Sequence, residues 1–290
     1  MKRMTFAVLA GLLFGLSFAT PGHAESAWYT DSSAALEAAR KADKKILVDL
    51  FAEWCGWCKV MDQKVFSTPE FQSYAEQFVL LRVDVEDGGY GTEIQQRFRA
   101  NSLPTLLLLD PHEALVGSAQ GYMETPKLIQ RLNMEMRQHD GLMQRVETLL
   151  AGTDATAQKA LAKELHGRGD GRNAARLFEK VLAGDALAGD ERSWARLQMA
   201  DSYRMAEDFE RARTTAGQLK KDLARSGSAP DKLAERVDLL LLFIAGGAHD
   251  CPNAAAALAE FEKGYPKSPY LRDARKAYRA ATTDTGSQCS

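Results

Sequence analysis

At 290 residues the chain exceeds one ordinary domain of about 100–200 residues and points to two. Its 45% hydrophobic and 26% charged content is that of a globular protein with apolar mass enough for a core, which excludes disordered and collagen-like chains. With 37 Lys+Arg against 39 Asp+Glu, the net charge of −2 offers no cationic field for a phosphate backbone, and nucleic acid is not an expected partner.

The chain begins with Lys2 and Arg3, an uncharged run from Met4 to Thr20, and then Pro21-Gly22-His23-Ala24. This reads as a secretory leader cleaved after Ala24. Its solidly apolar part, Phe6 to Ala19, is 14 residues long, short of the roughly 20 that a membrane-spanning helix needs. Export would place the mature chain in a periplasm, where disulfides persist and a surface cysteine pair is either a structural bridge or a redox centre.

From Lys45 to about residue 150, short apolar runs alternate with helical spacing. Ile46–Phe51, Phe78–Val85 and Leu106–Leu109 read as strands, and Cys58–Phe66 and Gly91–Phe98 as helices. Strands separated by helices imply an α/β unit with crossover connections, assigned to residues 25–145 behind the 1–24 leader. After that the strand signal stops. Ala157–Leu165, Asn173–Leu182, Trp194–Met205, Phe209–Leu223, Lys232–Ala245, Asn253–Tyr265 and Tyr270–Ala281 read as helices separated by Gly, Asp, Ser or Pro, an all-α unit over 146–290. Alanine-rich segments recur at Ala175, Ala212 and Ala256, spacings of 37 and 44 that bracket helix-pair repeats. The stretch Phe261 to Tyr270, with Pro266 and Pro269, resembles the inter-repeat turn of tetratricopeptide arrays. An irregular helical bundle is the alternative, because the spacing is uneven and the repeat signature incomplete.

Chemistry concentrates at Trp54-Cys55-Gly56-Trp57-Cys58-Lys59, directly after the first strand and at the start of a helix. A cysteine at a helix N-terminus meets unpaired N–H groups and the positive end of the macrodipole, which favour the thiolate that attacks disulfides. Cys58 lies one turn on, close enough to bond to Cys55 and to resolve a mixed disulfide. The expectation is an exposed, attacking Cys55 and a shielded Cys58. A zinc site would need a second ligand pair, and the remaining cysteines, Cys251 and Cys289, are 38 residues apart in the other unit, so no metal is expected. Lys59, where a c-type haem site requires His, excludes haem attachment. Thiol exchange needs no other cofactor.

The segment Ile46 to Lys59 resembles the thioredoxin active-site segment, and the resemblance covers roughly residues 30–140. Within it Leu103-Pro104-Thr105 matches that family's cis-proline loop, which implies that Leu103 and Pro104 line the substrate site beside the cysteines. Gly121 matches a glycine after the last strand. The stretch Val65 to Phe71 resembles the subfamily that includes the periplasmic C-terminal domain of a membrane-embedded thiol reductant transporter, which implies a membrane-embedded redox partner. Trp57 departs from the proline of thioredoxin and from the histidine of strong periplasmic oxidases. It lies between the cysteines and is the expected substrate contact, with Trp54 as a further part of an apolar collar.

Asp49, six residues before Cys55 on an apolar strand, is a candidate proton relay for Cys58. The family resemblance supports that role; a solvent-exposed strand-end Asp is the alternative. Arg82 occupies the place of a basic partner of this Asp, or is an ordinary edge-strand arginine. Cys251 and Cys289 are expected to form a structural bridge, a second redox relay being the rival. The expected function is thiol–disulfide exchange with protein clients, as reductase or isomerase rather than oxidase. The alternative is a client-binding adaptor or chaperone whose helices carry the function.

Overall fold

The structure, a computed structural model, describes residues 28–226 and 232–283; the expected leader at 1–24 and Cys289 lie outside them. The first half is a four-stranded sheet with helices on both faces. In chain order it comprises α1 (Ser32–Ala42), β1 (Ile46–Phe51), α2 (Gly56–Met61) running on into a π-helical turn (Asp62–Phe66), α3 (Pro69–Ala75), β2 (Val79–Asp84), α4 (Tyr90–Arg97), β3 (Thr105–Leu109), β4 (Leu115–Gln120) and α5 (Thr125–Ala151). The strand order is β2-β1-β3-β4, with β1 parallel to β2 and antiparallel to β3.

Apart from Asp49, β1 is apolar because both of its faces are covered. Ile46, Val48 and Leu50 pack with Leu81, Val83, Leu107 and Leu109 among side chains of α1 and α4. Leu47 packs with Leu80, Leu106 and Leu108 among side chains of the π-helical turn, α3 and α5. Asp49 alternates onto the face of Leu47, so a carboxylate is carried into the interior by strand geometry alone.

Three elements lack a strong sequence signal. α1 is short and charged, and α5 is interrupted by Gly141. β4, Leu115-Val-Gly-Ser-Ala-Gln120, is weak in β-formers because α5 lies directly on it: a Cβ on Gly117 would sit 2.3 Å from Cβ of Glu135. The expected junction at 145/146 falls inside α5.

The second half is helical, as expected: α6 (Ala155–Gly167), α7 (Gly171–Ala183), α8 (Gly189–Met205), α9 (Phe209–Ser226), α10 (Leu233–Gly247), α11 (Cys251–Gly264) and α12 (Leu271–Thr283). One turn recurs three times. A residue with positive φ (Gly169 at 83°, Glu207 at 60°, His249 at 51°) precedes an aspartate (Asp170, Asp208, Asp250) whose N–H donates to a carbonyl five residues back, at 2.9 Å in each case. The aspartate Oδ1 then accepts from the N–H of Asn173, Arg211 or Asn253 and caps the next helix. Four residues after each cap lies a fully buried alanine: Ala174, Ala212 and Ala254. The structural repeat is therefore 38 and 42 residues, and this corrects the alignment on Ala175 and Ala256. Ala175 is buried beside Ala174, whereas Ala256 is exposed and Ala254 is the inward residue of its run.

The halves meet at the edge of the sheet. Leu115 N–H donates to the carbonyl of Arg168 at 2.9 Å, and Arg168 Nη2 donates back to the carbonyls of Leu115 (2.9 Å) and Val116 (3.0 Å). The α6–α7 turn thus occupies backbone groups that an open edge strand would expose. Among the described residues, no helix is long and apolar enough to cross a membrane.

Candidate redox site

At the end of β1 the chain turns through Ala52-Glu53-Trp54, and Cys55 N–H donates to the carbonyl of Ala52 at 2.9 Å. This sets Cys55 in extended conformation as the N-cap of α2, its Sγ accepting the N–H of Cys58 at 3.1 Å. Cys55 and Cys58 are joined by a disulfide. A sulfur that accepts a helix N–H is stabilised as a thiolate once the bond is reduced, the property an attacking cysteine needs. The expectation of an exposed Cys55 requires correction: in the bonded form Cys55 is 3% exposed and Cys58 2%. The cap geometry is the cause, since it turns Sγ back toward Cys58 and away from solvent.

Asp49 is 1% exposed, which settles its orientation in favour of the interior. Burial raises its pKa from 3.8 to about 7, against the opposing pull of Arg82 and with a smaller push from Asp62. Arg82 stands opposite Asp49 in the β1/β2 register, with Nε 3.4 Å from Oδ2. That contact is ionic and falls short of a hydrogen bond; neither carboxylate oxygen of Asp49 has a hydrogen-bond partner among the described residues. The guanidinium is drawn elsewhere, donating through Nη1 and Nη2 to Asp62 Oδ1 (2.6 Å) and Oδ2 (2.9 Å) and lying 4.4 Å from the centre of the Phe51 ring. Asp49 is thereby buried beside a cation that is mostly spoken for. Sequence reasoning missed Asp62, because no spacing rule links a helical turn to a neighbouring strand.

Leu103–Pro104 is a cis peptide, as the proline-loop resemblance implies. Pro104 is buried, and its carbonyl accepts the N–H of Gly121 at 2.8 Å, tying the loop to the residue that follows β4. The next residue, Tyr122, stacks on Trp57 with ring centroids 5.3 Å apart. Trp57 and the Pro104 loop, 47 residues apart in sequence, are brought together in this way. Trp54 points out on the other side, its indole N–H donating to Glu86 Oε1 at 2.9 Å. Tyr122 and Glu86 carry no chemical motif, and sequence reasoning had no means of finding them. Cys251 is buried at the first position of α11, and its expected partner Cys289 lies outside the described residues.

A sequence profile described as thioredoxin-like matches residues 27–111. This stretch is a thioredoxin-like domain. Relatives extend the likeness. The thiol:disulfide interchange protein DsbD of Cronobacter sakazakii is 30% identical over 102 residues, 34% of this chain and 18% of that protein. Thioredoxin C-3 of Corynebacterium nephridii is 32% identical over 103 residues, 34% of this chain and 64% of that protein. A solved thioredoxin from Thermus thermophilus is 26% identical, covering 39% of this chain and 86% of its own, with a TM-score of 0.34. The chain therefore spans under a fifth of the DsbD relative. The thioredoxin-like domain of this chain begins just before α1 and contains the disulfide, Asp49, Arg82 and Pro104.

Proposed function

We propose that the protein is a thiol–disulfide oxidoreductase that exchanges disulfides with protein clients through Cys55 and Cys58, with Asp49 as proton relay and Trp57, Leu103 and Pro104 as the client-binding surface. The observation that carries this reading is the Cys55–Cys58 disulfide at the start of α2, with Cys55 Sγ on the Cys58 N–H, at the end of the strand that buries Asp49. In the reducing direction, Cys55 thiolate attacks one sulfur of a client disulfide. The client's other sulfur leaves as a thiolate and takes a proton. Asp49 carboxylate removes the proton of Cys58, whose sulfur attacks Cys55, breaks the mixed disulfide and releases the second client thiol. Two electrons pass to the client, and the Cys55–Cys58 disulfide is regenerated. A dithiol donor, in the DsbD-like arrangement a membrane-embedded one, reduces it again.

The reductase or isomerase direction follows from Trp57, which stands where a strong oxidase carries the histidine that stabilises its thiolate. The leader at 1–24 supports a periplasmic location. The three repeated turns support a tetratricopeptide-like array for 146–290, joined to the 25–145 unit through α5. The direct test is turnover of insulin disulfides by the purified protein together with the reduction potential of the Cys55–Cys58 couple. A potential near the thioredoxin value of about −270 mV supports a reductase, and one near −120 mV makes it an oxidase. Absence of insulin turnover by folded, reduced protein removes the enzymatic reading and leaves the adaptor.

A further inference from the structure

The rim of the redox site carries the two most exposed large apolar side chains among the described residues, Trp54 at 68% and Trp57 at 60%. Exposed aromatics of this size beside a reactive centre are contact surfaces. Their surroundings differ. Glu86 follows β2 and Tyr122 follows β4, and these strands lie on opposite sides of β1, so the two indoles serve opposite flanks of Cys55. On the Tyr122 flank, Trp57 is half of an aromatic stack. On the Glu86 flank, Trp54 is fixed by its N–H on a carboxylate, and a ring that donates this way is richer in electrons on its face.

That flank is also acidic. Glu53, Glu86 and Asp87 are exposed, but Glu53 lies in the field of Arg82 and the Asp87 carboxylate is turned onto the N–H groups of Gly89, Gly91 and Thr92, which leaves Glu86, bound only to the Trp54 indole among the described residues, as the carboxylate open to a client. Glu93 of α4, seven residues beyond Glu86, pairs instead with Lys276 of α12 at 3.5 Å. Trp54 is the residue before Cys55, so a client side chain within one or two residues of the attacked cysteine falls on it.

We propose that Trp54 and Glu86 form a cation-reading contact that selects client disulfides flanked by lysine or arginine. The client's cationic group lies on the Trp54 ring face, and the Glu86 carboxylate that holds the indole supplies the opposing charge. This rests on the thiol–disulfide reading and adds a substrate class to it.

The experiment uses the full-length protein, reduced and freed of reductant, against three short peptides with an internal disulfide. They differ only in the residue beside the cysteine: Lys, Ala or Glu. Acid-quenched single turnovers are separated by chromatography. At an ionic strength of about 0.05 M, the Lys peptide is reduced about tenfold faster than the Glu peptide with Ala between them, and the ratio falls toward one at about 0.5 M. Glu86→Gln and Trp54→Leu each bring the ratio below about threefold, and Glu86→Ala does the same should either of those variants fold poorly. Equal rates for the three peptides, a preference for Glu, or a preference untouched by these variants overturns the proposal. If the Ala peptide is turned over in those cases, the oxidoreductase reading stands without it; if no peptide is reduced, both fall.

Discussion

Asp49 is the residue on which the proposed chemistry turns, and its environment makes opposite demands on stability and function. Its folded pKa of about 7 lies above the ordinary 3.8, so the folded state holds a proton that the unfolded chain has released. Stability contributed by the neutral carboxyl is full below about pH 4 and is lost as pH rises through 7. Asp49→Asn should therefore stabilise the oxidised protein at pH 8 by about 2–4 kcal/mol and have little effect at pH 4, as read by denaturant unfolding at the two values. The same change should slow resolution of the mixed disulfide and remove the rise in its rate near pH 7, since the base that takes the Cys58 proton is gone. A variant that keeps that inflection would show that another group is the relay. The order of the sulfurs makes a second prediction. Cys58→Ser should accumulate covalent client adducts at Cys55 on non-reducing gels, while Cys55→Ser should give neither adducts nor turnover.

At the scale of elements, close approach between helices is what small residues secure in the helical half. Gly171 opens α7, where a Cβ would lie 2.4 Å from the backbone carbonyl oxygen of Ser202 in α8. Backbone cannot rotate out of the way. Gly171→Ala should cost about 2–3 kcal/mol of stability, measured by denaturant unfolding, with insulin turnover at 25 °C retained in the folded fraction. The repeated cap explains how much of this half is readable. Asp170, Asp208 and Asp250 each follow a residue of positive φ and open a helix, and Gly, Asp and Pro separators of this kind marked the helix starts closely. Which of Ala254 to Ala257 faces inward was not readable, because the four are chemically uniform while burial depends on rotation about the helix axis.

For the molecule as a whole, the α/β and helical halves are coupled through Arg168, whose guanidinium and carbonyl together engage Leu115 and Val116 of β4. Arg168→Ala should remove about 1–3 kcal/mol from the coupling and split or broaden the thermal unfolding transition by calorimetry. A single sharp transition at the original temperature would show that other contacts, such as Arg40–Glu207 at 3.0 Å, suffice. The expected Cys251–Cys289 bridge acts at this scale as well. Closing a loop of 38 residues is worth about 4 kcal/mol less strain, so Cys251→Ser and Cys289→Ser should lower stability by similar amounts and leave insulin turnover in place.

The sequence by itself determined the redox pair, the strand before it, the cis-proline loop, the candidate relay and the change from α/β to all-α architecture. The cysteines one turn apart, the β-branched run before them and the helices bounded by caps are encoded locally, in residue type and short spacing; the cis-proline loop was legible only through the resemblance to thioredoxin, which also supported the relay role of Asp49. Only the tertiary structure decided what depends on elements distant in sequence. It carried Asp49 fully inside, gave Arg82 to Asp62 through a bidentate pair, stacked Trp57 on Tyr122 and fixed Trp54 on Glu86. It also laid α5 on β4 so closely that Gly117 replaces the branched residues by which a strand is ordinarily recognised. Local spacing specifies which groups a strand or helix presents. The sheet order and the packing of helices on it specify what those groups meet, and the chemistry of a buried carboxylate or an exposed indole is set by what it meets.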